Sequence, residues 1–372
     1  MKRLILLGGG HAHARVLTSL AASPLKDWDV RLITPYRRQI YSGMLPGWIA
    51  GHYSLEACAL PLDTLTERAG VALHQTAGIA LDLTCNEVRC ADGSQVHFDL
   101  LSIDTGPEPA VGDLPGAAEH ALTVRPIERF IAAWPPLLEK MLSRRGTFNL
   151  VIVGAGAAGV ELAFAIQHRC SSANGLHVQI TLVGDASLPL SGAPTRVRRR
   201  IVRMLHDRGI VWLESRHASQ VAPTHLEFSD GTALQFDACL IVTGAAAARW
   251  PSESGLAVDE RGFIRVGPTL QSLSHSHVFA AGDVAAYQDA RPKSGVYAVR
   301  AGPVLAQNLR AACDGTPLRS WTPQRRALYL ISTGRKYALA SWGQWSLGGQ
   351  WVWRWKDVID RRFVSQFTPG GI

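Results

Sequence analysis

Along this chain the apolar positions change period at fixed places. "KRLILLGGG" at 2–10 is an unbroken apolar run that ends in glycines, "HARVLTSLAAS" continues with Val16, Leu17 and Leu20 at helical spacing, and "WDVRLIT" is a second unbroken run. Continuous apolar strands are those covered on both faces of a parallel sheet, so this order predicts a βαβ unit. The same succession returns in "FNLVIVGAGAAGVELAFAI" and "VQITLVGD". Further buried strands close at Thr105-Gly106 in "LLSIDTGPEP", at Thr243-Gly244 in "CLIVTGAAA" and at Gly282-Asp283 in "HSHVFAAGDVA". "ALDLTCNEVRCADGSQVHFD" alternates instead, and predicts a meander of short strands turning near Asn86 and at Asp92-Gly93. "PKSGVYAVRAGPVLAQNL" predicts a loop and then a helix that begins near Ser294-Gly295. From Trp351 to Phe367 the period is helical again. Trp351, Val352, Trp355, Val358, Ile359 and Phe363 share one broad face; Arg354, Asp357, Asp360, Arg361 and Ser365 lie mostly opposite.

The glycines between strand and helix have a mechanical task. Gly8 permits a tight turn, and Gly10 lets the backbone approach a pyrophosphate seated on the unpaired amides of a helix N-terminus. Gly154, Gly156 and Gly159 complete a G-x-G-x-x-G in its strand–turn–helix context and predict a dinucleotide site. The first unit departs from that form twice. His13 occupies the third glycine position, and Thr34 ends the second strand where an acid would hold a ribose hydroxyl. The second unit also lacks that acid, having Gly184 and then Asp185. The arginines of "TRVRRRIVRMLHDRG" either reach a 2′-phosphate, favouring NADPH, or form a solvated basic helix.

Bulk properties narrow the class. A chain of 372 residues with a 47% hydrophobic fraction has volume for two or three domains. The net charge of +8 favours anionic partners but does not choose among them. No nucleic-acid-binding motif accompanies it, so nucleic acid is not an expected partner, and no metal site is expected. Cys58, Cys85, Cys90, Cys170, Cys239 and Cys313 are too scattered for a secreted disulfide framework. The first residues enter a strand at once, without the layout of a signal peptide. The longest apolar run is interrupted by Gly154, Gly156, Gly159 and Glu161 and reads as strand, turn and helix rather than a membrane span. A cytoplasmic protein is expected. The tryptophan-rich segment 351–367 either meets the inner face of the cell membrane, packs on its own domain or meets a second subunit of a homodimer.

On the two glycine loops, the two Thr-Gly closures and "HSHVFAAGDVA", the chain resembles the pyridine nucleotide–disulfide oxidoreductase family of FAD flavoproteins. Its details resemble the branch of type II NADH dehydrogenases and sulfide:quinone oxidoreductases. More narrowly, "GGGHAH", "YSGMLPGWIAGHYS", "PKSGVYAVRAGPVLAQNL" and "WRWKDVIDRRF" are similar to the flavoprotein module fused ahead of selenide, water dikinase, where a histidine at the third glycine position is usual. The resemblance implies an α/β fold of two Rossmann-like domains, FAD- and NAD(P)-binding and of three-layer ββα type, the second inserted in the first. The expected boundaries are 1–110 and 246–317 for the FAD-binding domain, 111–245 for the NAD(P)H-binding domain and 318–372 for a small C-terminal region. FAD is then expected on Gly8, Gly10, His13, Thr34, Thr105, Gly106, Gly282, Asp283 and Gly295. NAD(P)H is expected on Gly154, Gly156, Gly159, Glu161, Thr243 and Gly244.

Disulfide-type members of this family carry a Cys-x4-Cys pair after the first nucleotide unit, where this chain has only Cys58. Cys85 and Cys90 have the spacing but lie in the meander, and read as small strand residues. Electrons are therefore expected to pass from NAD(P)H to FAD and directly to a diffusible acceptor. Lys293 is expected to set positive charge near the reduced flavin, together with a helix N-terminus. Glu161 either orients the nicotinamide carboxamide or bonds locally on its helix. Tyr41, with Met44, Pro46 and Trp48, either lines an apolar slot for a flat quinone ring or packs in the core. The resemblance also leaves room for reduction of a selenium or sulfur species on behalf of a selenophosphate-synthesis partner, and a scaffold that only senses NAD(P)H is a third reading. If Cys85 and Cys90 carry no electrons, the C85S/C90S double variant keeps NAD(P)H-dependent turnover within about twofold of the parent, and abolished turnover would restore a dithiol mechanism.

Overall fold

The computed structural model describes residues 1–112, 114–171, 177–289 and 291–368. In chain order, β1 (Lys2–Leu7), α1 (His11–Ala22), β2 (Trp28–Ile33), β3 (Ala72–His74) and β4 (Leu100–Ile103) open the first unit. The second contains β5 (Leu122–Thr123), α2 (Ile127–Ser143), β6 (Thr147–Val153), α3 (Ala157–Cys170) and β7 (His177–Val183). It continues with α4 (Thr195–His206), β8 (Val211–Leu213) and β9 (Ala238–Ile241). After β10 (Val278–Ala280) and α5 (Gly295–Asp314), the chain ends in β11 (Tyr329–Thr333), β12 (Arg335–Trp342), β13 (Trp345–Gly349) and α6 (Gln350–Ser365).

Two parallel sheets carry the architecture. The first has the order β10-β4-β1-β2-β3, so its edge strand comes from far down the chain. The second has the order β5-β9-β6-β7-β8 and uses only residues 122–241. Both are apolar through their length: Leu4–Leu7 and Leu150–Val153 are buried, as two-faced coverage requires. The chain crosses between the sheets twice, and the crossings are tied to each other. Glu108–Pro109 pairs antiparallel with Ala245–Ala246, and the Thr243 hydroxyl donates to the Ala110 carbonyl at 2.9 Å.

The meander forms from strands 78–82, 87–90 and 95–97. Cys90 is buried on its middle strand, but Cys85 is an exposed residue of the preceding turn and not a strand residue. The turn places Asn86 at φ +56, a left-handed conformation that asparagine tolerates.

The third glycine position shows what the two units share and where they part. A Cβ on Gly159 would lie 1.8 Å from the Gly154 carbonyl oxygen, so helix α3 can approach the loop only without a side chain. In the first unit His13 fills the corresponding space. Its ring is fully buried, Nδ1 lies 2.6 Å from the Gly8 carbonyl and Nε2 2.8 Å from the Ser102 hydroxyl. A carbonyl can only accept, so Nδ1 carries the proton and Nε2 accepts from Ser102. Desolvation holds the imidazole neutral, with its pKa lowered from 6.5 to about 4.

The C-terminal helix α6 packs on its own chain through a charged pair and leaves its tryptophans outward. Trp351, Trp355, Val358 and Ile359 are exposed, whereas Lys356 and Asp360 are buried. The two charges can be inside because they pair at 2.5 Å, and the Lys356 ammonium also donates to the Gly43 carbonyl at 2.6 Å. Val352 is buried as expected, and Phe363 packs on Tyr41 and Phe367. Residues 369–372 of the expected C-terminal region lie outside the described residues.

A pH dependence of stability follows from His13. Below pH 6.5 the unfolded chain takes up a proton there that the folded chain refuses until about pH 4, so stability falls as pH falls through that window. In urea unfolding the H13Q variant should lose about 1.4 kcal/mol of this decline per pH unit relative to the parent. His11 titrates alike in both proteins, so the difference isolates His13, and parallel pH profiles would remove it from that role.

Candidate functional site

A cleft of about 720 Å³ opens along the carboxyl ends of the first sheet. Its floor is the Leu7–His11 loop, and its walls come from Thr34–Tyr36, Ala77–Ile79, Asp104–Pro109, Arg125–Arg129 and Ala248–Trp250. Asp283, Gly295 and Ala298 close it at the α5 end.

The loop is shaped around one carboxylate. Asp104 ends β4 and is buried, and its Oδ2 accepts from the Ala12 and His13 amides at 2.8 and 3.1 Å. A Cβ on Gly10 would lie 2.3 Å from that carboxylate, and one on Gly282 would lie 2.4 Å from Oδ1. Gly8 (φ +94) and Gly282 (φ +72) also have backbone conformations that favour glycine. Desolvation, with a smaller contribution from neighbouring Asp283, raises the Asp104 carboxyl to about 7 against the pull of its two amide donors.

Of the residues expected to hold FAD, Gly8, Gly10, Thr34, Thr105, Gly106, Asp283 and Gly295 line the cleft. Gly282 lies behind Asp283 against Asp104. His13 does not reach the cleft; its ring braces the loop from below, as described above. Lys293 is engaged elsewhere too. Its ammonium donates to the Ala285 carbonyl at 2.7 Å and sits 3.6 Å over the Phe263 ring, and desolvation lowers its pKa to about 8. The cations that line the cleft are Arg125, Arg129 and Arg249, and Arg125 is paired with Asp283 at 3.5 Å. Sequence reasoning passed over both Asp104 and Arg125. The signal for each was adjacency: Asp104 precedes the Thr-Gly closure, and Arg125 ends the crossing segment.

The residues present fit FAD. The cleft offers the N-terminus of α5 at Gly295 and open space above Gly106, where an added Cβ meets nothing within 4 Å. Two polar atoms of its lining residues, His11 Nε2 and Glu128 Oε1, are buried with no hydrogen-bond partner among the described residues. Such atoms are costly unless a ligand or water satisfies them.

The second loop presents a comparable cradle. Gly154 has φ +111, and Gly156 and Gly244 face open space. Where the ribose acid would stand, Gly184 is packed against the Trp212 ring, whose Nε1 is a further buried atom without a partner among the described residues. Of the arginines on α4, Arg198 donates to the Leu188 and Pro189 carbonyls and Arg200 to the Tyr337 hydroxyl at 2.7 Å, while Arg196, Arg199 and Arg203 are exposed.

Glu161 and Tyr41 are not among the residues that line the first cleft, and each lies near Asp360. Glu161 on α3 accepts from the Ser332 amide at 2.8 Å, and desolvation raises its carboxyl to about 7 while Lys356 opposes the shift. Tyr41 lies beside Asp360, and burial, reinforced by that carboxyl, pushes its hydroxyl well above the usual range. The Tyr41 ring also packs edge-on against His11, at 5.6 Å between centroids, and so joins this cluster to the cleft. Burial pushes the thiols of Cys58 and Cys313 up to about 12 and that of Cys170 to about 11, so none is disposed to act as a thiolate.

The sequence profile of the pyridine nucleotide-disulphide oxidoreductase family matches residues 2–302. The chain is 29% identical over 281 residues to a probable ferredoxin reductase, CtmF, of Castellaniella defragrans, a match covering 69% of this chain but only 64% of that protein. It is 23% identical over 343 residues to the NADH dehydrogenase-like protein YutJ of Bacillus subtilis, covering 90% and 91% of the two chains. Its fold is similar to that of the sulfide:quinone oxidoreductase of Aquifex aeolicus, with a TM-score of 0.81 at 16% identity over 99% of this chain and 91% of that one.

Proposed function

Because this chain belongs to the pyridine nucleotide-disulphide oxidoreductase family, we propose that it oxidises NAD(P)H through FAD and reduces a quinone-like diffusible acceptor without a redox-active disulfide. Bound FAD supplies the relay that takes up a hydride equivalent and releases two electrons. The Leu7–His11 loop, Thr34, Thr105, Gly106, Asp283 and Gly295 hold it, with Arg125, Arg129 and Arg249 rather than Lys293 as the cations of its cleft. The loop of Gly154, Gly156 and Gly159, with Thr243-Gly244 opposite, receives the pyridine nucleotide.

The observation that carries the acceptor reading is the enclosed cluster of Glu161, Lys356, Asp360 and Tyr41. Overall, NAD(P)H, one proton and a quinone become NAD(P)+ and a quinol, so the acceptor needs two protons with its two electrons. Glu161, with its carboxyl near 7, is about half protonated at neutral pH and can pass a proton to an adjacent oxygen. Lys356 and Asp360 keep a compensated charge pair beside it. A selenium or sulfur acceptor, serving a selenophosphate-synthesis partner, has less support, because the buried thiols are held protonated.

The outward face of α6 and the β12–β13 hairpin extend this reading. Trp342, Trp345, Leu347, Trp351, Trp355 and Val358 are exposed, and Lys336, Arg354 and Arg362 accompany them. No described helix is long and apolar enough to cross a membrane. Tryptophans flanked by cations suit the interfacial layer of an anionic bilayer, where an apolar acceptor also dissolves.

Two measurements test these readings. Under anaerobic conditions NADH or NADPH should bleach the flavin, and a soluble quinone should restore its colour faster than selenite or polysulfide does. E161Q should bleach normally but reoxidise about a hundredfold more slowly, and an unchanged reoxidation rate would end the role of Glu161. In vesicle pelleting, the full chain should sediment with phosphatidylglycerol vesicles and the W342S/W345S/W351S/W355S variant should not. A parent that stays in the supernatant, or one whose tryptophan face is covered in a homodimer, would overturn the membrane reading.

A further inference from the structure

A dinucleotide seated on a βαβ unit needs an acceptor for its ribose diol, and the usual source is an acid ending the second strand. Thr34 ends β2 instead; it is buried, and the Tyr36 amide approaches its hydroxyl at 3.5 Å. Pro35 and Tyr36 follow and supply no carboxylate.

The acids among the described lining residues are Asp104, Glu108, Glu128 and Asp283. Asp104 is committed to the α1 amides and Asp283 to Arg125. Glu108 is exposed on the crossing strand. Glu128 differs from all three. Its Oε2 lies 3.7 Å from Arg38 Nε, its side chain is only 15% exposed, and its Oε1 is buried without a partner among the described residues. Its partner Arg38 follows Thr34–Tyr36 in the chain, and those residues line the cleft with it, so Glu128 stands on the β2 side. A carboxylate with one oxygen steered by a guanidinium and the other unoccupied matches a vicinal diol, which has two hydroxyls to donate.

We propose that Glu128, entering from the first turn of α2, accepts the adenosine ribose hydroxyls of bound FAD in place of the acid that β2 lacks. The helix that carries it leads into the second sheet, so one cofactor contact joins the two halves of the molecule. The inference rests on the family's FAD cofactor and is independent of the acceptor, so its failure would leave the quinone reading untouched.

The test uses the full chain stripped of flavin and titrated by fluorescence quenching. E128A should bind FAD about 30-fold more weakly than the parent and E128Q about tenfold more weakly. FMN, which has no adenosine, should bind all three proteins equally. As competitors of FAD, ADP should outcompete 2′,3′-dideoxy-ADP on the parent but not on E128A. Glu128 also suits the positive end of its helix, so a purely structural role predicts that FMN and FAD weaken together. That outcome, or FAD affinity in E128A within about twofold of the parent, overturns the proposal.

Discussion

Asp104 is a buried carboxylate with almost no room around it, and two distant segments of chain are arranged to accept it. The start of α1 gives it two amides, Gly10 leaves space on one side and Gly282 on another. A side chain at either glycine would occupy the carboxylate's own position. The glycines of the first loop therefore serve an internal anion as well as an incoming one. Without Asp104 the amides of Ala12 and His13 would lie unpaired in the core, and the link from β4 to the β10 turn would be lost.

His13 belongs to the same construction. It sits where the second unit has Gly159, and a glycine there brings helix and loop almost into contact. The imidazole replaces that contact with a donated and an accepted hydrogen bond, joining Gly8 to Ser102. Both solutions hold the loop against its sheet. One does so by close approach, the other by a polar bridge that must stay neutral because it is buried.

The C-terminal helix decides how the cleft relates to its surroundings. Lys356 and Asp360 satisfy each other and the Gly43 carbonyl, which lets a charged pair lie inside while tryptophans face outward. The inward pair sits beside Glu161 and Tyr41, and the outward face continues into the β12–β13 hairpin. The buried charge pair and the apolar exterior are thus two faces of one helix.

The sequence by itself determined both βαβ units, the meander, the start of α5 and the two crossings, because strand burial and glycine turns are local properties that leave a period in the chain. It also identified most of the cleft floor, since the loop glycines are adjacent to the strands that place them. Only the tertiary structure decided which polar side chains meet. Asp104 with α1, Arg125 with Asp283, Glu161 with the β11 backbone and Glu128 with the β2 wall are each pairings between distant segments. The orientation of α6 has the same origin. Periodicity tells that a helix has two unlike faces, but which face turns inward depends on whether the body of the protein offers its charges a partner, and here the Gly43 carbonyl does.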